Sequence, residues 1–205
     1  MIKAAIFDLD NTLLDFMNMK STAIEAAING MVEAGLDLDK NISKDEIYSI
    51  YENKGWEYQE VLDEFIKTKL GKLDYKILAA GIVSYRKAKE ASLIVYPNVN
   101  STLIILSKIG LKLGVVSDAP SREAWMRICS VNLHHIFDAV VTFDDTGKLK
   151  PSREPFEQAL KLLNVSADES LMVGDWPERD VIGAKKIGMK TAFARYGDAF
   201  GKKES

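Results

Sequence analysis

Five short apolar runs constrain the fold of this chain more than any other feature: AAIF (4–7), LKLGVV (111–116), AVVTF (139–143), LMVG (171–174) and TAFA (191–194). Their apolar residues are consecutive rather than alternating, so each run needs cover on both faces. Helical patterns separate the later runs: SREAWMRICSVNL, REPFEQALKLLNV and RDVIGAKKIGM. Strands of this kind, spaced by helices, predict an α/β fold with a parallel sheet flanked by helices on both sides.

Residues 16–94 have a different texture. Helical periodicity runs throughout, and no segment reads as a strand. Asn18 to Ala34 carries apolar residues at helical spacing and stops at Gly35. SKDEIYSIYENKG is expected to open on a capping box, Ser43 with Glu46, and to close at Gly55. EYQEVLDEFIKTKLG and DYKILAAGIVSYRKAKEAS follow. Four successive helices predict an inserted α-helical bundle over 16–94, within a core made of 1–15 and 95–205. Pro97 marks the return to the core, with Asn98 or Asn100 expected to cap the next helix. The tail GDAFGKKES is expected to fray.

The 205 residues are 47% hydrophobic, enough for a sizeable core, and the net charge of −3 supplies neither a nucleic-acid footprint nor a polybasic membrane patch. No stretch reads as a signal peptide or a membrane span, so a cytoplasmic protein is expected. Cys129 is the single cysteine, which rules out an internal disulfide and a thiolate metal cluster; its apolar helical context predicts burial. His134 and His135, at a helix end, read as structural.

Ligands of open parallel sheets bind beyond the carboxyl ends of the strands. In this chain those ends are acidic. AAIF is followed by Asp8, Asp10, Asn11 and Thr12, and LKLGVV by Ser117 and Asp118. AVVTF is followed by Asp144 and Asp145, and LMVG by Asp175 and then Asp180. Asp8 and Asp10 are like charges two residues apart on one face of a strand, an arrangement that needs a counter-charge. Such a cluster calls for a divalent cation, and oxygen ligands without thiolates favour Mg²⁺. Lys150, just before Pro151 and a helix start, is placed to balance a carboxylate and to neutralise phosphate oxygens. Ser117, close to the next helix start, suits anion binding.

Four stretches together resemble the haloacid dehalogenase-like hydrolase superfamily across the whole α/β portion: FDLDNT (7–12), VVSDA (115–119), KLKPSREPF (148–156) and VGDWPERD (173–180). The resemblance implies a Rossmann-like core with a helical cap inserted between the first and second motifs. It implies that Asp8 is a nucleophile forming an aspartyl-phosphate and that Asp10 is the general acid and base. Mg²⁺ would be held by Asp8, by the main-chain carbonyl of Asp10 and by Asp175, with Asp180 supporting this shell. Thr12, Ser117 and Lys150 would bind phosphoryl oxygens, helped by backbone N–H groups around Asn11 and Asp118.

The expected activity is hydrolysis of a phosphate monoester of a small metabolite. A phosphomutase of the β-phosphoglucomutase kind shares this chemistry, and a 2-haloacid dehalogenase is the more distant alternative. Two departures stand out. Trp176-Pro177 occupies positions where small or polar residues are common, predicting an apolar rim. Asp118 stands where Asn is frequent and adds a charge near phosphate. Phe16, Met17, Trp56 and Tyr58 are candidate substrate contacts that bundle packing explains equally well.

Overall fold

The computed structural model of the protein describes residues 1–198, and most of the tail expected to fray lies outside them. Five parallel strands, β1 (Ala4–Phe7), β2 (Lys112–Val116), β3 (Ala139–Val141), β4 (Ser170–Gly174) and β5 (Lys190–Phe193), form one sheet in the order β3-β2-β1-β4-β5. β1 is central, with Ala5 opposite Leu113 on one side and Leu171 on the other. Buried on both faces, it takes no polar residue until the chain leaves the sheet at Asp8.

The two faces pack separate cores. Ala5, Phe7, Leu113 and Val115 meet Leu103 of α5 (Val99–Lys108) and Ala124 and Ile128 of α6 (Ser121–Ser130). Ala4, Ile6, Val116 and Met172 meet Phe156, Ala159 and Leu163 of α8 (Arg153–Leu163). The short helix α7 (Phe143–Thr146) follows β3, and α9 (Gly183–Lys185) precedes β5.

The chain divides into two compact units. One comprises Met1–Phe16 and the chain from Leu93 onward; the other is Met17–Ser92. The second is helical: α1 (Phe16–Glu33) enters it, followed by α2 (Lys40–Lys54), α3 (Val61–Leu70) and α4 (Tyr75–Ser92). It has its own core, including Ile24, Ile28, Met31, Ile47, Phe65, Ile66 and Ile77. Lys20 is buried within this unit, its ammonium 4.0 Å from the Tyr51 ring centre and 3.0 Å from the Tyr85 hydroxyl. Among the described residues no helix is long and apolar enough to cross a membrane.

Several local expectations are corrected. The N-cap of α2 is Asp39, which accepts the N–H groups of Asn41 and Ile42, while Ser43 lies inside the helix and donates to the Asp39 carbonyl. Two residues able to cap stand four apart, and the earlier one wins because it satisfies donors a turn sooner. Asn98 occupies the N-cap position of α5 with φ 68° but makes no capping bond through its side chain. β3 ends at Val141, because Thr142 turns out of the sheet to form a capping box with Asp145.

Cys129 is exposed rather than buried. The inward stripe of α6 is Glu123, Ala124, Arg127 and Ile128, so Cys129 shares the outward face with Trp125 one turn earlier. His134 and His135 lie ring against ring, with centroids 3.9 Å apart, on the exposed surface.

Candidate active site

The chain emerges from β1 directly into the site. Asp8 N–H still bonds the Val173 carbonyl at 2.9 Å, extending the β1–β4 ladder, so the Asp8 side chain projects from the sheet's carboxyl edge. Asn11 adopts φ 63°, a left-handed conformation that Asn tolerates, and turns the chain back on itself. Its N–H bonds the Leu14 carbonyl at 2.7 Å, which closes the loop on itself.

Gly197 seals this loop from outside. A Cβ there would lie 1.6 Å from the Asn11 carbonyl oxygen and 2.9 Å from Asp175 Cβ, so only glycine fits. Tyr196 adds a hydrogen bond from its hydroxyl to the Thr12 carbonyl at 2.8 Å.

Lys150 is the hub. Its side chain is 2% exposed, and its ammonium reaches Asp8 Oδ1 at 2.5 Å, Asp180 Oδ1 at 2.7 Å and the Val116 carbonyl at 3.0 Å. The ammonium thus donates hydrogen bonds to Asp8 and to the Val116 carbonyl and forms an ion pair with Asp180. Burial opposes the charge on Lys150, yet Asp180, Asp8 and Asp118 outweigh it and raise the pKa above the ordinary lysine value. The ammonium therefore stays charged at any physiological pH.

Asp8, Asp175 and Asp180 bring carboxylate oxygens within 4.8 Å of one another, all three residues buried. Burial pushes the Asp8 carboxyl well above its ordinary range; Lys150 opposes this, and the charges of Asp180 and Asp175 add to it. Asp175 is pushed up to about 7, again by burial first and then by Asp180, with Lys150 and the Thr12 hydroxyl (3.2 Å from Oδ1) pulling the other way. One ammonium does not balance three buried carboxylates. An oxygen-only donor set short of positive charge fits a hard divalent cation.

Asp180 is held as well as charged. Its Oδ2 accepts Trp176 N–H at 2.9 Å across the wide helical turn Pro177–Ile182. The close approach depends on Gly174, where a Cβ would lie 2.3 Å from the Asp180 carboxyl carbon. Gly174→Ala should displace Asp180 from Lys150 and lower turnover by about tenfold or more, the usual effect of disturbing a supporting ligand partner. Steady-state kinetics beside a thermal melt checks this, and unchanged kcat would show that Asp180 does not support the site.

The acidic edge is narrower than the sequence alone implies. Asp144 accepts Ser121 N–H at 2.8 Å and Asp145 accepts Thr142 N–H at 2.7 Å, so both cap helix starts and neither joins the cluster. Ser117 is buried at the end of β2 and accepts Ala119 N–H at 3.2 Å. Asp118 turns its carboxylate to the Lys150 backbone N–H (2.8 Å) and to Arg179 Nη1 (3.2 Å). Arg179 in turn lies 3.9 Å from the Trp176 ring centre, which makes this part of the rim a cation–aromatic pair rather than a purely apolar one.

Asp10 has a cationic partner of its own. Arg127 Nη1 lies 2.7 Å from Asp10 Oδ2, and the Arg127 side chain is 3% exposed. Asp8 and Asp10 therefore have separate counter-charges, Lys150 for the first and Arg127 for the second. No motif in the sequence singles out Arg127; the signal for it is its spacing from Ala124 and Ile128, which puts it on the buried stripe of α6.

A parallel sheet whose carboxyl edge combines buried carboxylates, a hydroxyl and a buried lysine defines an enzyme equipped for phosphoryl groups. A sequence model for haloacid dehalogenase-like hydrolases matches residues 5–194, and the chain belongs to that family. A glyceraldehyde 3-phosphate phosphatase of Methanocaldococcus jannaschii is 37% identical over 93% of this chain and 84% of its own length. A pyrophosphatase PpaX of Bacillus cereus is 30% identical over 93% of this chain and 82% of its own. A crystal structure of a phosphatase of the same family from Thermococcus onnurineus superposes with a TM-score of 0.70 at 26% identity, covering 98% of this chain and 89% of that one. These relatives are phosphatases, and this chain is an enzyme of their class.

Proposed function

We propose that this protein is a Mg²⁺-dependent phosphohydrolase that cleaves the phosphate monoester of a small metabolite through an aspartyl-phosphate on Asp8. The observation that carries this reading is the Lys150 ammonium lying 2.5 Å from Asp8 in a buried cluster of carboxylates. A nucleophilic carboxylate must meet an anionic substrate, and a fixed cation beside it removes much of the repulsion.

Asp8, the Asp10 main-chain carbonyl and Asp175 would hold the metal. Bound there, Mg²⁺ supplies the positive charge that offsets the clustered carboxylates and the phosphoryl oxygens. Asp8 Oδ attacks phosphorus as the bond from phosphorus to the leaving alcohol oxygen breaks. That oxygen takes the proton of the Asp10 carboxyl. A water then attacks phosphorus, giving its proton to the Asp10 carboxylate. The bond from phosphorus to Asp8 breaks, releasing inorganic phosphate and regenerating both side chains. Thr12 and Ser117 hydroxyls and the Lys150 ammonium orient the phosphoryl oxygens. We assign the helical segment 16–94 the part of a cap that excludes water during the reaction, and the cytoplasm as the setting.

The substrate to test first is glyceraldehyde 3-phosphate, because relatives 32–37% identical to this chain carry that activity in their names. Inorganic pyrophosphate is the second, on the strength of the PpaX relatives. Purified protein with Mg²⁺ should release phosphate from a three-carbon phosphate ester over many turnovers, and chelation should stop it until Mg²⁺ is restored. A stoichiometric phospho-adduct without turnover would contradict the reading.

The carboxyl shifts give a stability prediction with a definite sign. The Asp175 pKa is about 7 in the fold and roughly 4 in an unfolded chain. Between those values the folded state keeps a proton that the unfolded state has lost. The metal-free fold is therefore stabilised below that window and loses this contribution as pH rises through 7. Asp8 acts in the same direction. Mg²⁺ replaces the missing charge, so its increment in Tm should be larger near pH 8 than near pH 5. Thermal melts with and without Mg²⁺ check this; an increment that shrinks with rising pH would contradict it.

A further inference from the structure

Arg127 is a buried guanidinium outside the motifs that define the family resemblance. It comes from the middle of α6, between Ala124 and Ile128, both of which are fully buried in the core against β1 and β2. Its Nη1 lies 2.7 Å from Asp10 Oδ2, and its guanidinium carbon lies 4.6 Å from the centre of the Phe16 ring, next to the end of the same loop. The helix anchors the arginine, the aromatic face supports it, and a charge-assisted hydrogen bond fixes the acid. Asp10 is meanwhile absent from the group of carboxylates that converge within 4.8 Å, which is Asp8, Asp175 and Asp180.

The two acids of the first motif thus have different cationic partners. Asp8 pairs with Lys150 within the cluster, and Asp10 pairs with Arg127. Arg127 thus supplies Asp10 with a buried cationic partner of its own.

Building on the phosphohydrolase reading, we infer that Arg127 is the positioning residue for Asp10, holding its carboxylate in the place from which it exchanges protons with the leaving oxygen and the attacking water. Arg127 touches neither substrate nor reacting atoms in this role. It acts through the location of Asp10, and proton transfer between positioned groups loses efficiency steeply with displacement.

The leaving group discriminates this role from a structural one. An alkyl phosphate must have its leaving oxygen protonated as the P–O bond breaks, whereas p-nitrophenolate departs as a stable anion. The parameter kcat/KM reports the steps up to phosphorylation of Asp8, where that proton is needed. Arg127→Met and Arg127→Lys, in the full chain with Mg²⁺, are compared with wild type on glycerol 3-phosphate and p-nitrophenyl phosphate. The expected result for Arg127→Met is a loss of about 10²-fold in kcat/KM on the alkyl ester and less than about tenfold on the aryl ester. Arg127→Lys, which keeps the charge, should show the same asymmetry to a smaller extent.

A second readout needs neither metal nor turnover. In the metal-free chain, the effects of Arg127→Lys and Asp10→Asn on the denaturation midpoint should be non-additive in a double-mutant cycle. Equal losses on the two esters, wild-type kinetics, or additive midpoints would each overturn the inference. Should Arg127→Met fail to fold, the lysine variant decides by the same criteria. A wild-type protein inactive on every phosphate ester would instead overturn the phosphohydrolase reading, and this inference with it.

Discussion

With Asp8→Asn, turnover of a phosphate ester is expected to fall by roughly 10⁴–10⁶-fold, the scale seen when a covalent nucleophile is removed. The amide is nearly isosteric with the carboxylate, so the loss would be chemical rather than steric. The same substitution should leave the fold as stable as wild type or raise its Tm in metal-free buffer. Asp8 is a buried acid whose carboxyl is pushed up by burial and by two neighbouring aspartates, so the folded chain gains by losing that charge. Activity lost while stability is kept or improved marks a residue retained for chemistry. Parallel assays of phosphate release and thermal unfolding check both halves. Substantial Mg²⁺-dependent hydrolysis by the variant would rule out Asp8 as nucleophile.

Lys150→Met is expected to damage both properties. Removing the ammonium takes away one fixed donor at the phosphoryl site, which costs roughly 10²–10³ in kcat. It also strands Asp8 and Asp180 without their shared partner, and breaking a buried ion pair typically costs about 3–5 kcal/mol. That penalty falls on ionised carboxylates, so it should shrink as pH is lowered and the acids take up protons. The difference in denaturation midpoint between wild type and Lys150→Met should therefore be larger near pH 7 than near pH 4. A lysine that was only a surface residue would give wild-type rates and a pH-independent difference, an outcome already at odds with its 2% exposure.

Much of the fold was legible because parallel strands carry their burial in their composition. Every predicted strand is present, and β1 has the expected bounds at Ala4 and Phe7. Gly55 and Gly71 end helices as their positions imply, with φ of 92° and 70°. What sequence could not decide was competition among polar residues for the same local donors. Asp39 and Ser43 both qualify as caps, and which one prevails depends on where the chain turns. Asp144 and Asp145 look like members of an acidic edge because they follow a strand, but each is satisfied by a nearby backbone N–H.

The site was legible to the extent that its residues lie at strand ends. Asp8, Lys150, Asp175 and Asp180 come together although the chain separates the first from the last by most of its length. Arg127 was hidden for a different reason. A charged residue in a helix reads as solvent-facing, and only the spacing of Ala124 and Ile128 reveals that this one points inward. The same stripe turns Cys129 out to solvent. Both features follow from the rotation of one helix, which composition does not report.

The central claim is that Asp8, beside a buried ammonium, attacks phosphorus and carries the phosphoryl group. Borohydride trapping tests it most directly, because an aspartyl-phosphate is reduced to homoserine whereas a free carboxylate is not. Wild-type protein turning over a phosphate ester with Mg²⁺ is quenched, reduced, digested and sequenced by mass spectrometry. Homoserine at position 8 and at no other aspartate is the predicted result. Sustained hydrolysis with position 8 unmodified, or with homoserine at position 10 or 175 instead, would contradict the account.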